Sequence, residues 1–342
     1  MLKAFGKLPS GNRLDRIRKS AHYREGSFQN LSETRMLAEG ASYPKMIIDF
    51  FSKGVNREPM HALPSVKTDL KSLSGTDPVV IWFGHSSYLI RLNGKNILID
   101  PVFSNRASPI SFIGKESYPV TNPYQIDDLP DLDLVILTHD HYDHLDYNTI
   151  KKLKSRVNTF YTALGVGEHL EHWGVDENAI TEFDWWEKQV FRHEIEVIAT
   201  PARHFSGRLF KRNQTLWNSF VLKTATHSIF IGGDSGYDPA FKTIGQQYGP
   251  FDLAILECGQ YNTMWPSIHM MPEEVVQASQ DLQARAFMPV HWGKFTLALH
   301  PWSDPITRAT KQAEIMKVSI ATPMIGEPVI VGDQLPTKKW WE

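Results

Sequence analysis

Short apolar runs rich in β-branched residues begin at Pro78 and recur to the end of the chain. The first three cover residues 79–83, 87–92 and 96–99, with an Asn93-Gly94 hairpin turn between the latter two. Leu134–Thr138 is the fourth, and a helical segment over 147–155 follows it. A short strand at 160–161 and a helix over 165–173 come next. Strands over 194–199, 216–223 and 228–231 precede a helix at 239–248 and a strand at 253–257. Pro272-Glu273-Glu274 opens a helix, with proline in the first turn and acids favouring the helix dipole. A strand at 286–290, a helix over 302–316 and a strand at 328–331 complete the pattern. Strands come first, then strands alternating with helices, twice over, without a sequence repeat. This order predicts an α/β architecture of two face-to-face sheets with helices outside. Residues 1–75 lack strand pairs and read as a helical or irregular extension, leaving 76–342 as the main domain. Within the extension, Pro44–Phe51 has helical apolar spacing.

The run Leu134–Thr138 breaks abruptly into His139, His141 and His144 interleaved with Asp140, Asp143 and Asp146. A strand interior does not tolerate that polarity, so these residues belong to the loop leaving the strand. Imidazole and carboxylate are the ligands that borderline-soft divalent metals prefer. His204, Asp234 and His291 likewise follow buried strands within a few residues of Gly or Pro. Loops at one end of a sheet sandwich converge, so these strand ends can build one site. His139, His141 and His204 would hold a first ion, and Asp143, His144 and His291 a second, with Asp234 bridging. Two such ions with a water between them supply hydroxide at neutral pH.

Composition narrows the setting. A net charge of −2 over 342 residues argues against a nucleic-acid surface. Cys258 is the only cysteine, which excludes an internal disulfide and a thiolate cluster. Met1–Ser20 has no apolar core of the signal-peptide kind, and no run approaches a membrane span. A cytoplasmic protein is expected, at most peripheral to a membrane. The early basic residues Lys3, Lys7, Arg13, Arg16, Arg18, Lys19 and Arg24 read first as a solvated arm. The alternative is an approach surface for an anionic membrane or phosphorylated substrate. Trp185, Trp186, Trp265, Trp292, Phe103 and Phe112 serve equally well as an acyl groove or as core. His169 and His172, flanked by Glu168 and Glu171, read as a solvated helix face.

The spacing His139-x-His141-x-Asp143-His144, followed by His204, Asp234 and His291, resembles the metallo-β-lactamase superfamily. Within it, the chain is most similar to the N-acylphosphatidylethanolamine-hydrolysing phospholipase D branch. That likeness rests on Trp82-Phe83-Gly84-His85-Ser86-Ser87, Ile99-Asp100-Pro101, Thr200-Pro201-Ala202-x-His204, and His269 just before Pro272-Glu273-Glu274. It implies a four-layer αβ/βα sandwich with two zinc ions per chain, iron or manganese being the alternatives. It further implies that Asp100 orients a ligand histidine, and that His269 lies near the substrate phosphate, to orient it or to protonate the leaving group. Asp143, Asp234 and His269 would carry catalysis. Tyr142 would line the pocket, and His85 stands either near the site or as a hydrogen-bonded structural histidine.

The expected activity is phosphodiester hydrolysis of phospholipase D type, on N-acylphosphatidylethanolamine-like lipids, through a metal-bridging hydroxide. Hydrolysis of a carbon electrophile, such as a lactone, thioester or β-lactam, needs the same ligands and is the alternative. A metal-stabilised binding protein would show a broken ligand set. The partner is then a small-molecule or phospholipid substrate, with no nucleic acid, and a homodimer is compatible with the chain.

Overall fold

The computed structural model describes residues 2–42, 44, 48–49, 56–110, 112–119, 123–208 and 211–342. The helix expected over 44–51 therefore lies mostly outside the described residues. In chain order, helix α1 (Gly11–Lys19) leads into a small ribbon, β1 (Tyr23–Arg24) and β2 (Ser27–Phe28). β3 (Val79–Trp82), β4 (Tyr88–Leu92), β5 (Lys95–Ile99) and β6 (Leu134–Leu137) follow. Then come α2 (Tyr147–Leu153), β7 (Phe160–Ala163), α3 (Gly167–His172), β8 (Ile180–Phe183), β9 (Lys188–Phe191) and β10 (Ile195–Pro201). β11 (Asn218–Lys223), β12 (Ser228–Ile231), α4 (Ala240–Tyr248), β13 (Leu253–Glu257) and α5 (Pro272–Asp281) continue. The chain closes with β14 (Ala286–Val290), α6 (Asp304–Met316), β15 (Ser319–Ile320) and β16 (Pro328–Ile330).

Two seven-stranded sheets result, ordered β16-β3-β4-β5-β6-β7-β8 and β15-β14-β13-β12-β11-β10-β9. Each has antiparallel pairs on one side and parallel pairs on the other. Two antiparallel steps restore a strand's direction. β3 and β5 therefore run the same way, and β6 parallels β5. In the other sheet the same step aligns β10 with β12, and β13 and β14 continue parallel. The C-terminal ends of β3, β5 and β6 thus share one sheet edge, and those of β10, β12, β13 and β14 share the other. Every strand-end residue named as a candidate follows one of these ends.

The central strands β3, β6, β12 and β14 read as apolar runs because both faces are covered. Val80, Trp82, Leu134 and Ile136 point between the sheets, where they meet Val197, Phe220, Ile231 and Ile255. Alternate residues Ile81, Val135 and Leu137 face an outer layer that includes Ile150, Leu153 and Leu170 of α2 and α3. Ala254, Leu256 and Phe287 face the opposite outer layer, with Ile244, Val275, Val276, Ala309 and Ala313 of α4, α5 and α6. Each such fully buried aliphatic side chain contributes roughly 1.5–3 kcal/mol. The architecture is the αβ/βα four-layer sandwich.

Of the N-terminal basic residues, Lys3, Lys7, Arg16, Arg18, Lys19 and Arg24 are exposed, as a solvated arm would have them, but Arg13 is not. Arg13 on α1 donates to Glu168 and Glu182 at 2.9 Å each and also pairs with Glu171. Its side chain is 14% exposed, and those of Glu168 and Glu182 only 5% and 8%. The reading of the helix around Glu168 and His169 as solvated is likewise overturned, since both are buried. Lys7, Ser10 and Arg13, partners of this pair, lie more than 150 positions away, which no local pattern reveals. Among the described residues, no helix is long and apolar enough to cross a membrane.

Candidate metal centre

The two sheet edges are stitched together at the site. His85 N–H donates to Trp292 O and His291 N–H to His85 O, each at 2.9 Å. His85, Asp100 and His291 have φ of +53°, +39° and +68°. That left-handed backbone costs non-glycine residues about 1–3 kcal/mol and is found where surrounding structure enforces a sharp reversal. Here the reversal turns each side chain back from a strand end toward the gap between the sheets.

Two groups of donors converge there. In the first, His141 Nδ1 lies 3.0 Å from His139 Nε2 and 3.2 Å from His204 Nε2. Asp234 Oδ2 stands 3.8 Å from His139 Nε2 and 3.7 Å from His204 Nε2. In the second, Asp143 Oδ2 lies 2.9 Å from His85 Nε2, 3.7 Å from His144 Nε2 and 4.0 Å from His291 Nε2. Asp234 reaches this group too, 3.1 Å from His144 Nε2 and 3.1 Å from His291 Nδ1. The structure therefore brings all seven expected ligand residues together and adds His85 to the second group. Asp234 lies between the groups.

The remote edges of the rings are held by fixed partners. His204 Nδ1–H donates to Ile268 O at 2.9 Å. His291 Nδ1, which also faces Asp234, lies 2.8 Å from the Ser86 hydroxyl. Asp100 carries the most weight. Its Oδ1 accepts from Thr138 N–H at 2.8 Å, and its Oδ2 accepts from the Thr138 hydroxyl at 2.6 Å and from His144 Nδ1–H at 2.8 Å. Thr138 Oγ1 has thus committed its proton, so His139 Nδ1–H donates to that oxygen at 3.0 Å. One buried carboxylate thus places a proton on Nδ1 of a histidine in each group, which leaves Nε2 of both as the atom a metal would take.

Burial pulls His85 and His141 down to about 4, so both are neutral imidazoles. Asp143 is held well below the carboxylate range: burial alone would raise it, but His144 and His85 outweigh burial. His144 Nε2, His85 Nδ1 and Asp234 Oδ1 are buried without a hydrogen-bond partner. Orphaned polar atoms of this kind cost about 1–3 kcal/mol each, unless something else binds them. Unsatisfied imidazole nitrogens and a carboxylate oxygen on residues of these two groups, with no thiolate among them, fit borderline divalent cations.

Below the 139–144 loop lies a buried network that the sequence did not disclose. Asp140 accepts from Gly207 N–H at 2.8 Å, from the Thr215 hydroxyl at 3.0 Å and from His169 Nε2 at 3.3 Å. His169 Nδ1 accepts from Lys7 N–H at 3.0 Å, which fixes the proton on Nε2. Gly6 makes this approach possible, since a Cβ there would sit 2.2 Å from His169 Nδ1. Arg208 donates to Asp140 O, Leu145 O and Ala4 O at 2.7–2.8 Å. Tyr142 points away from the donors, toward Arg208 O and beneath the Arg208 guanidinium. It therefore does not line the central cavity but a second one, on the far side of the loop.

That central cavity, of about 250 Å³, opens over His141, Asp143, Asp234 and His291. Met36, Leu37, Trp265, Ile268 and Leu297 form apolar walls, and His269 and Arg212 also line it. Of the aromatics proposed for a groove, only Trp265 is found here. Trp185 and Trp292 are core, while Phe112 is 65% exposed. His269 stacks on His291 at 5.3 Å between ring centroids and lies 5.1 Å from the His204 ring. Beneath it sits Glu257, the last residue of β13, whose carboxyl burial pushes well above its ordinary range.

Comparison with known proteins gives the chain its relatives. The β-lactamase superfamily domain matches residues 95–292. The uncharacterized protein Rv0906 of Mycobacterium tuberculosis is 38% identical over 328 residues, spanning 94% of this chain and 88% of that one. The N-acyl-phosphatidylethanolamine-hydrolyzing phospholipase D 1 of Caenorhabditis elegans is 34% identical over 274 residues, 72% of this chain and 76% of that one. Among solved structures, the metallo hydrolase Igni18 of Ignicoccus hospitalis shares the fold. Its TM-score is 0.59 at 19% identity, over 76% of this chain and 100% of that one.

Proposed function

The chain belongs to the metallo-β-lactamase superfamily, near its N-acylphosphatidylethanolamine-hydrolysing branch, and on that premise we propose that it is a dizinc phosphodiesterase of phospholipase D type. The coarser statement, a metal-dependent hydrolase, follows from the family. The finer one rests on a single observation: two donor groups, with Asp234 in one and 3.1 Å from His144 and His291 of the other, open onto a cavity with apolar walls and one cation among its lining.

His139, His141, His204 and Asp234 would hold one ion. Asp143, His144, His291 and His85 would hold the other, with Asp234 between them. Bound there, two divalent ions supply Lewis acidity and an activated water. The protein does the rest. Asp100 and Ile268 O keep lone pairs aimed inward. The apolar walls take an acyl chain and exclude bulk water. Arg212 lines the cavity with no carboxylate partner among the described residues, and meets a negatively charged diester. His269, on the cavity wall, protonates the departing alkoxide.

The test combines metal analysis with a hydrolysis panel. Bis-p-nitrophenyl phosphate and N-acylphosphatidylethanolamine are set against lactones and a chromogenic cephalosporin. Diester cleavage with about two zinc equivalents per chain is expected, both lost in Asp234→Ala. Turnover of lactone without diester cleavage would replace this reading with hydrolysis of a carbon electrophile.

A further inference from the structure

Glu257 is a carboxylate in the wrong place for a strand. β13 is otherwise Leu253, Ala254, Ile255 and Leu256, all buried, and Glu257 is 1% exposed. No lysine or arginine among the described residues pairs with it. Its Oε1 accepts from Met270 N–H at 2.7 Å, and its Oε2 lies 3.3 Å from His269 Nδ1. A buried carboxylate with no cation is costly, and cores do not keep one without a compensating partner. The His269 side chain is 12% exposed, with Nδ1 turned toward Glu257. The opposite edge of the ring, carrying Nε2, is what remains for the cavity that His269 lines.

We infer that Glu257 is the positioning residue for His269 and that the pair acts as the leaving-group acid. The inference rests on the hydrolytic reading above. With one proton on the Nδ1–Oε2 link, Nε2 carries a hydrogen whichever atom of that link holds the proton. As the P–O bond breaks, the Nε2–H bond breaks and an O–H bond forms on the leaving alkoxide. The link proton ends on Nδ1, facing a carboxylate. Water later returns the proton to Nε2. A ring free to rotate would present Nε2 only part of the time. Glu257 fixes it, as a buried carboxylate orients the general base in hydrolytic triads.

The leaving group separates this role from a merely structural one. A p-nitrophenolate departs without a proton, whereas an alkoxide does not. Glu257→Gln keeps the size and the acceptor for Met270 N–H. It should lower kcat on an alkyl phosphodiester about 30- to 100-fold and on bis-p-nitrophenyl phosphate by less than about threefold, with KM little changed. Glu257→Asp, which keeps the charge but withdraws it by one methylene, should show the same bias. Imidazole ¹⁵N spectra give a readout that needs no turnover, with His269→Asn identifying the resonance. The wild type should show a single His269 tautomer and Glu257→Leu, which leaves no polar group to meet Nδ1, a mixture. Equal losses on both substrates, an unchanged tautomer in Glu257→Leu, or loss of a metal equivalent in Glu257→Gln would each overturn the proposal. The last would make His269 a ligand, as its grouping with Asp234 and His291 allows. If the wild type cleaves no diester at all, the hydrolytic reading fails on its own, and the spectra still decide whether Glu257 orients His269.

Discussion

Asp100→Asn is the most informative single substitution at the centre. It changes one atom of a side chain that is 1% exposed and that accepts three hydrogen bonds. The amide can be seated in two ways, and both fail. If its oxygen meets Thr138 N–H, its NH2 faces the Thr138 hydroxyl and His144 Nδ1. His144 must then move its proton to Nε2, the atom turned toward Asp234 and Asp143. If the amide is reversed, NH2 meets the Thr138 N–H, donor against donor. A hydrogen bond to a charged group contributes about 1.5–3 kcal/mol, and each 1.4 kcal/mol is tenfold in affinity. Metal binding should therefore weaken roughly 10- to 150-fold, in line with the ~10- to 100-fold typical when the partner of a ligand histidine is lost. Because the Thr138 hydroxyl relays the same carboxylate to His139, both ions should be affected. Thr138→Val keeps the His144 bond and removes only the relay, so it should weaken one ion alone. Competition against a chromogenic chelator, with metal content after dialysis, measures both effects. If Asp100→Asn keeps two equivalents with affinity within about threefold, the tautomer reasoning is wrong.

Three further outcomes follow from the same contacts. Arg13→Ala leaves Glu168 and Glu182 buried without their guanidinium, and should cost about 2–4 kcal/mol in urea unfolding, discounted for the partial exposure of Arg13. Glu168 should show its linkage with pH: burial would raise its pKa, but Lys7, Arg13 and Ser10 lower it overall. Its contribution is therefore present above the unfolded value of about 4.3 and is lost as pH falls through the lower folded value. Thermal melts from pH 7 to 3 should show a flatter decline in Glu168→Gln. Arg212→Ala should raise KM for an anionic diester about five- to tenfold with kcat little changed, while a neutral ester is unaffected. An equal change on both substrates would remove Arg212 from recognition.

What could be read along the chain, and what could not, divides by the range of the interaction. The 139–144 ligand cluster was legible because an apolar strand cannot continue through it, and His204, Asp234 and His291 because each repeats that strand-then-polar break. The interior strands were legible for the same reason, since burial on both faces leaves mostly apolar residues. The edge strand β9 was not: Lys188, Gln189 and Val190 are exposed, so no alternation marks it. β15 has two residues and is defined only by its pairing with β14. The N-terminal charges looked unpaired because Glu168, Glu171 and Glu182 lie about 155–170 positions away. Asp140 was given no role and His169 was read as solvated for that reason too, each being neutral in meaning until the other is beside it. Glu257 is the exception, because its signal was local. It ends an apolar strand at the same sheet edge as Asp234 and His291, and a charge there has the same cost and needs the same kind of explanation. A strand-end rule applied to every charged residue, and not only to metal ligands, would have found it.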